Sequence, residues 1–306
     1  MTGDGGAPVS TADPVRTLVL LGLRRQLEDL REHSETGRDG PAARIHDLRA
    51  DCRRLRSLLG TFAGVFRAGP VGPVCTELRW VGHTLGRARD AQVLHQHLEE
   101  ILRSQPPQLV LGPVPRRLHV HLAAEERVGT EDALAALHGP RYARLVDRLE
   151  SLAERPPWSP RADERIFRAV PRLLRVDARR LERAQRRMGE VPEGPDRDAA
   201  AHETRKKAKR YRYAAEALVP AYGHHAELIA ARAQAVQRAL GEHHDAGEAR
   251  VTLRRLAVQA HEAGEDEFTY GRLDAFEQAR AARALAEFER AWRELPRRHL
   301  RRVLRG

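Results

Sequence analysis

The sequence predicts an all-helical protein made of two bundle-like halves. Ala, Leu, Arg and Glu dominate its 306 residues, and all four favour helix. Aromatic residues make up only 5%, and no sustained alternation of apolar and polar residues predicts a strand. A chain of this length is expected to form about two units, each long enough to bury its own core.

The first unit is expected to span residues 14–154, after a Gly- and Pro-containing segment at 1–13 that we expect to be disordered. Asp13 followed by Pro14 favours a helix start, because Asp caps the first turn and Pro fits inside it. Gly- and Pro-containing breaks delimit the other helices. The predicted helices are residues 14–31, 42–67, 73–103, 116–127 and 131–153.

The segment RPPWSP at residues 155–160 predicts the boundary between the halves, because its Pro-containing turns cannot continue a helix. The second unit, residues 161–295, repeats the plan of about four helices with short connections, which is typical of helical bundles. Pro171 falls inside its first helix and is expected to kink it. The predicted helices are residues 161–188, 198–219, 224–262 and a last one that reaches about 295, before a basic tail at 296–306.

Charge predicts the class of partner. The net charge is +11 and the isoelectric point is about 10.6, which favours a polyanion such as nucleic acid, an acidic membrane or polyphosphate. Only three of the 54 basic residues are lysines, so 51 are arginines. A GC-rich genome explains much of this bias, but its chemical consequence remains: a guanidinium binds phosphate with two hydrogen bonds and keeps its charge.

Several other classes are not expected. Cys52 and Cys75 stand in no CxxC or His-paired spacing, so neither a disulfide framework nor a structural zinc site is predicted. The first residues lack the charged and apolar regions of a signal peptide, and the longest apolar run, residues 18–23, is too short to span a membrane. We therefore expect a cytoplasmic protein with no membrane insertion and no cofactor.

Two motifs recur in the same order, about 156 residues apart, and indicate an internal repeat. IHDLRADCRRLRSLL at 45–59 corresponds to AHETRKKAKRYRYAA at 201–215, and TLGRARDA at 84–91 corresponds to ALGEHHDA at 239–246. The first pair of segments contains four matched polar or cationic positions. These are His46 with His202, Arg49 with Arg205, Arg53 with Lys209, and Arg56 with Arg212.

The matched residues form a basic stripe on each predicted helix. Their spacing of i, i+3, i+7 and i+10 places them on one face, about 15 Å long, and Lys206 joins the second stripe. Apolar residues such as Leu48 and Leu55 occupy another face and face the core. Like charges repel at this spacing, so the stripe becomes favourable when an anion binds. A further stripe lies on the preceding helix, at Arg168, Arg172, Arg175, Arg179 and Arg186.

The pattern HDLR…RRLRS, LG..RDA, H..R…KR.RYA and LG..HDA resembles the CHAD (conserved histidine α-helical domain) family over residues 14–295. The resemblance implies two four-helix bundles related by a pseudo-twofold axis, a basic surface or central channel, and binding of inorganic polyphosphate. Its implied binding residues are His46, Arg49, Arg53, Arg56, His202, Arg205, Lys209 and Arg212. To these we add Arg79, Arg87, Arg89 and Arg238 on the predicted helices 73–103 and 224–262, together with Lys206 and the stripe residues Arg168, Arg172, Arg175 and Arg179.

The predicted function is non-catalytic binding of polyphosphate or a similar polyanion, with association with polyphosphate granules as a further expectation. A charge run is usually only a solvated helix face, but its duplication favours a binding role. One alternative is a metal-dependent phosphohydrolase that uses His243, His244 and Asp245, although the first half has only Arg89 and Asp90 there. The other alternative is a helical protein that binds nucleic acid. The scarcity of aromatic residues and the lack of a helix-turn-helix pattern argue against it.

No metal ligands are predicted. The remaining histidines, in the pairs 95/97, 119/121 and 224/225, are interpreted as surface residues.

Overall fold

The computed structural model describes residues 9–35 and 40–295, and within these ranges the chain is helical with no strand, as predicted. Short 3₁₀ turns occur at residues 63–65, 107–109 and 160–163. The α-helices are α1 (Val15–Glu35), α2 (Gly40–Thr61), α3 (Val71–Arg103), α4 (Val114–His138), α5 (Pro140–Glu154), α6 (Ile166–Glu190), α7 (Pro195–Glu216), α8 (Val219–Tyr222), α9 (His224–Glu262) and α10 (Phe268–Glu294).

Helix α2 ends six residues earlier than predicted, because two aromatic side chains hold the chain that follows it. Phe62 is fully buried, and the ring of Phe66 stacks on that of Trp158 with centroids 5.1 Å apart. Phe66 and Trp158 also form an isolated antiparallel bridge, so residue 66 is extended rather than helical. The segment between the two halves is thereby fastened to the α2–α3 connection.

Gly129 does not end a helix, contrary to the predicted break between 127 and 131. Helix α4 continues through it to His138, and the interruption falls at Gly139 and Pro140 instead. A Cβ atom at residue 129 would lie 2.9 Å from the Cα atom of Ala88 on α3. This glycine therefore allows α3 and α4 to approach closely.

Residues 9–13, which were predicted to be disordered, are held at the start of α6. The amide of Ser10 donates to Oδ2 of Asp13 over 2.7 Å, and the carbonyl of Asp13 accepts from the amide of Ile166 over 2.9 Å. The rest of that predicted disordered segment, residues 1–8, and the predicted basic tail at 296–306 lie outside the described residues.

Two apolar clusters form the core, and each contains residues of both sequence halves. The larger one joins α1, α2, α5, α6 and α7 with the first parts of α3 and α9 and the ends of α4 and α10. The smaller one, here called the distal core, joins the far ends of the α3–α4 and α9–α10 hairpins. Its largest members are Leu98, Leu102, Leu118, Leu122, Leu253, Leu256, Tyr270 and Leu273. Apolar packing therefore joins the residues before and after the predicted boundary at 155–160.

Helices α2 and α7, which carry the repeated motif, pack against each other. Each also packs against a long helix of its own half, α2 against α3 and α7 against α9. Their apolar faces are buried, through Leu48 and Leu55 on α2 and Ala201 and Ala208 on α7. This packing decides where the basic faces of the two helices lie.

Candidate functional site

The basic stripes of α2 and α7 meet. Three cations from each helix are half-buried where the two helices meet. These cations repel one another, and guanidinium groups of both helices lower the pKa of the Lys209 ammonium group. We call these residues the central cluster. They are Arg49, Arg53, Arg56, Arg205, Lys209 and Arg212.

Lys209 lies at the electrostatic centre of the cluster. Burial is the largest influence on its ammonium group, and the charges of Arg53 and Arg205 are next; together they lower the pKa of Lys209 to about 7. Burial also lowers the pKa of Arg53 and that of Arg56. Each of these groups is therefore less favourable as a cation here than in water.

Few acids compensate the cluster. Arg49 donates to Oδ1 of Asp90 over 3.2 Å, and Nε of Arg212 donates to Oε1 of Glu216 over 2.7 Å. The other four members have no carboxylate within 4.0 Å among residues 9–35 and 40–295. In addition, Nε of Arg53 and Nε of Arg205 are buried without a hydrogen-bond partner in the described chain. The cluster thus contains donors and positive charge that an anion could satisfy.

Tyr213 supports the cluster from the α7 side, and sequence analysis missed it. The guanidinium carbons of Arg53 and Arg212 lie 5.4 and 5.1 Å from the centre of its buried ring. Both distances allow cation–π attraction, which partly offsets the repulsion between the two arginines. The signal was the sequence RYRY at 210–213, where tyrosines alternate with arginines in a chain poor in aromatic residues.

The repeated glycines provide space for the matched arginines. A Cβ atom at Gly86 would lie 3.5 Å from Nε of Arg49, and one at Gly241 would lie 3.3 Å from Nε of Arg205. The same contact between α2 and α3 therefore recurs between α7 and α9. It explains why the LG motif stands at a fixed distance from the basic motif in both halves.

The repeated histidines lie at the edge of the cluster. Burial, followed by the charge of Arg89, lowers the pKa of His46. The ring of His202 lies 4.4 Å from that of His244, and burial followed by His244 lowers the pKa of His202 to about 4. Both imidazoles are therefore neutral at pH 7, where they can serve as hydrogen-bond donors or acceptors.

The other predicted binding residues are peripheral. Arg79 is exposed, and its charge lowers the pKa of Arg56. Three further cations are paired with acids: Lys206 with Glu203 at 2.7 Å, Arg87 with Asp132 at 3.5 Å, and Arg238 with Glu242 at 3.9 Å.

The arginines of α6 form a separate surface. Its four predicted binding residues are exposed, and their described contacts are local. Arg168 lies over the Phe167 ring at 5.5 Å, and Arg172 donates to Glu164 over 2.9 Å. We call this surface the α6 stripe. It consists of Arg168, Arg172, Arg175 and Arg179.

The His-Asp motif of α9 does not converge on one point. Nε2 of His243 lies 3.0 Å from Oδ1 of Asp198, whereas His244 faces His202 and Asp245 is exposed. A metal phosphohydrolase needs several such ligands around one ion. The geometry of these three side chains therefore gives no support to a metal centre at this motif.

His95 is buried, contrary to its interpretation as a surface residue. Its Nδ1 atom lies 2.7 Å from Oε2 of Glu126, and its Nε2 atom lies 3.1 Å from Oε1 of Glu99. This burial could not be predicted from the sequence, because Glu126 belongs to another helix, 31 residues later.

Within the described residues, no helix combines the length and the apolar character that crossing a bilayer requires.

Comparison with known families and sequences gives a consistent result. The family model described as the CHAD domain matches residues 22–254 of this chain. Two proteins of Mycobacterium tuberculosis, described as uncharacterized protein MT2285 and uncharacterized protein Rv2226, are each 33% identical to it over 288 residues. These residues make up 94% of this chain but 54% of each relative, so the chain spans about half the length of the curated relatives it matches.

Solved structures show the same fold. PptA from Streptomyces chartreusis superposes with a TM-score of 0.77 at 24% identity, covering 92% of this chain and 99% of that one. The CHAD domain from the plant Ricinus communis superposes with a TM-score of 0.68 at 23% identity, covering 94% of both chains.

Proposed function

The chain belongs to the CHAD domain family, and on that premise we propose that it binds inorganic polyphosphate, or a closely similar polyanion, through the central cluster. One observation carries the proposal: cations from two repeated helices meet at a half-buried junction where four of them lack an acidic partner in the described chain. A protein bears the cost of such a cluster more readily when an anion occupies it.

Polyphosphate suits this arrangement chemically. It carries about one negative charge per phosphate along a flexible strand, so successive phosphates can follow cations that are spaced along two helices. Arg53 and Arg205 each have an unused Nε donor, and arginine can bind a phosphate with two hydrogen bonds. The residues proposed to contact the strand first are the six cations of the central cluster, with His46, His202, Arg79 and Arg89 beside them.

The proposed role is binding without catalysis. The cluster consists of cations and the ring of Tyr213, a set that can hold phosphates by charge and hydrogen bonds alone. Protein that binds long polyphosphate in this way would also collect on polyphosphate granules, and we propose that association as well.

Charge reversal at the cluster tests the proposal. Arg53→Glu combined with Lys209→Glu should lower the affinity for long-chain polyphosphate by at least about tenfold, since each lost charged contact contributes on the order of 1.5–3 kcal/mol. Arg172→Glu combined with Arg175→Glu reverses two charges on the α6 stripe and should have a smaller effect. Arg283→Glu combined with Arg290→Glu, on exposed positions of α10, is the matched control.

Calorimetric titration with long-chain polyphosphate, tripolyphosphate and double-stranded DNA at two salt concentrations measures all four proteins. Circular dichroism and thermal melts verify that each variant folds, and Arg53→Gln with Lys209→Met replaces the reversal if it does not. Equal loss in the control, or equal affinity for DNA, would contradict the proposal. Release of phosphate on adding a divalent metal would favour the phosphohydrolase alternative instead.

A further inference from the structure

A second cluster of chemically reactive side chains lies between α3 and α4, apart from the central cluster. His95 and Glu99 lie one turn apart on α3, and His119 and Glu126 face them from α4. It is the one group of three or more potential metal ligands close enough to share an ion within residues 9–35 and 40–295. The sequence did not reveal it, because its members come from two helices.

The distances match those of a coordination site. Oε1 of Glu99 lies 3.1 Å from Nε2 of His95 and 2.8 Å from Nδ1 of His119, and one ligand atom from each residue lies within 4.8 Å of the others. Bonds of about 2.0–2.1 Å in a tetrahedral zinc site place neighbouring ligand atoms about 3.3 Å apart. The two separations that involve Glu99 are therefore within a few tenths of an ångström of this value, and the separation between the two imidazoles is at most 4.8 Å.

Glu126 holds His95 in the orientation that ligation requires. Its carboxylate accepts a hydrogen bond from Nδ1 of His95 over 2.7 Å, which fixes the proton on that nitrogen. Nε2 of His95 is then the nitrogen available to an ion; it lies 3.1 Å from Oε1 of Glu99, and an ion bound between the two atoms would take the place of any proton that they share. A carboxylate behind a ligating imidazole is a recurrent feature of zinc sites, where it orients the ring and raises its basicity.

The burial pattern leaves one side of the cluster accessible. His95 is buried between the helices, whereas the side chain of His119 is 61% exposed. An ion could enter from the His119 side and keep a water molecule as its fourth ligand, as in zinc sites with three protein ligands.

We propose that His95, Glu99 and His119 form a binding site for Zn²⁺ or a chemically similar divalent transition metal, with Glu126 as the positioning residue. Two imidazoles and one carboxylate favour zinc, cobalt or nickel over Mg²⁺ and Ca²⁺, which prefer oxygen ligands. The ion would join α3 to α4 in the hairpin that carries Arg87 and Arg89. This site does not depend on polyphosphate binding.

Cobalt absorption provides a direct test on untagged, full-length protein. The wild-type protein should bind one Co²⁺ with visible bands of a four- or five-coordinate ion, and Zn²⁺ should displace it. His119→Ala and Glu99→Gln should each abolish or strongly weaken the bands, and Glu126→Gln should lower the affinity by about 10- to 100-fold. Zn²⁺ should also raise the melting temperature of the wild-type protein, because it binds only the folded chain.

His121→Ala is the matched control. It removes another imidazole of α4, one whose Nε2 atom contacts Arg255 and Glu125 rather than this cluster. Cobalt bands and thermal stabilisation should persist in that variant. Absence of cobalt bands in the wild-type protein, or bands that survive His119→Ala but not His121→Ala, would overturn the proposal. Because His119 is exposed, its replacement should leave the apo fold intact, and circular dichroism checks this.

Discussion

Lys209 connects the electrostatics of the central cluster to stability. Its pKa falls from 10.5 to about 7 on folding, so between those values the unfolded chain binds more protons than the folded one. Stability should therefore rise with pH from about 7 towards 10, and the charge penalty should be fully present below 7. Lys209 thus opposes folding at neutral pH, whereas in the proposed function the same charge would favour anion binding.

We expect Lys209→Met to stabilise the unliganded protein at pH 7 by about 1–3 kcal/mol, because it removes a buried unpaired charge. The same substitution should weaken polyphosphate binding and flatten the rise in stability above pH 7. Urea unfolding at pH 6.5, 8 and 9.5 measures the first effect, and calorimetry measures the second. A variant less stable than the wild type at every pH would contradict this interpretation.

Asp51 contrasts with Lys209, because it is a buried acid that has partners of opposite charge. It is fully buried on the side of α2 that faces α1, where Nδ1 of His33 donates to its Oδ2 over 2.6 Å. Arg54 approaches its other oxygen at 3.4 Å. Asp51 therefore does not interrupt the basic stripe, although it stands two residues from Arg49 in the sequence.

His33→Ala should destabilise the protein by about 1–3 kcal/mol, because it removes the main partner of a buried carboxylate. The hydrogen bond with Asp51 raises the pKa of His33, so the charged contribution is complete below the ordinary value of 6.5 and is lost as pH rises through the raised value. The loss should thus be larger at pH 5.5 than at pH 8.5 in urea unfolding. His83→Ala, at an exposed position of α3, is the control, and an equal loss there would argue against this role for His33.

Helical spacing was sufficient to predict which residues form each basic stripe, since i, i+3 and i+7 positions share a face. It could not predict that the stripes of α2 and α7 meet, because periodicity specifies a face and not its neighbour. Tyr213 was missed for the same reason, because its importance comes from Arg53 in a distant part of the sequence. His244 was considered only as a metal ligand, and its contact with His202 could not be predicted. The binding role of all these positions remains a prediction.

At the level of elements, a predicted helix boundary was accurate where a local residue such as glycine ends the helix, and inaccurate where contacts with distant residues end it. The start and end of α9 matched at 224 and 262, where Gly223 and Gly264 have positive φ angles. The end of α2 did not match its prediction. No local helix-breaking residue ends that helix; tertiary contacts of Phe62 and Phe66 do.

Gly129→Ala tests the packing of α3 on α4. The added methyl group would lie 2.9 Å from the Cα atom of Ala88, so the helices must separate. We expect a net loss of about 1–3 kcal/mol, since the strain of overpacking exceeds the gain in helix propensity.

Gly247→Ala on α9 is the matched control, because no atom beyond the adjacent residues and the backbone of its own helix lies within 4 Å of the position its Cβ atom would occupy. It should be neutral or slightly stabilising. Thermal and urea unfolding compare the two variants, and equal stabilities would exclude a packing role for Gly129.

For the whole molecule, the net charge of +11 predicts opposite responses to salt. Added NaCl should raise the melting temperature of the unliganded protein, because it screens repulsion among surface cations. It should weaken polyphosphate binding steeply, because bound counterions are released when phosphates are neutralised. Melting curves and titrations between about 50 and 300 mM NaCl measure both, and a salt-independent affinity would contradict ionic binding.

Composition was enough to predict the all-helical class, because Ala, Leu, Arg and Glu dominate the sequence and favour helix. The division into two halves remains a prediction from the repeat. The joint cores were not predictable, because Leu98 and Leu253 each belong to an apolar face that could equally pack within its own half. Only the three-dimensional arrangement places them in the same distal core.

The distal core also bears on how this chain could be divided. Cutting at residues 155–160 would leave each fragment with unpaired leucines at the tip of its own hairpin, Leu102 and Leu118 on one side and Leu253 and Leu256 on the other. Those surfaces complement each other, so fragments expressed together should reassemble, whereas either one alone should aggregate. The protein is therefore suited to split-reporter designs in which joining two fragments recreates the junction of α2 with α7.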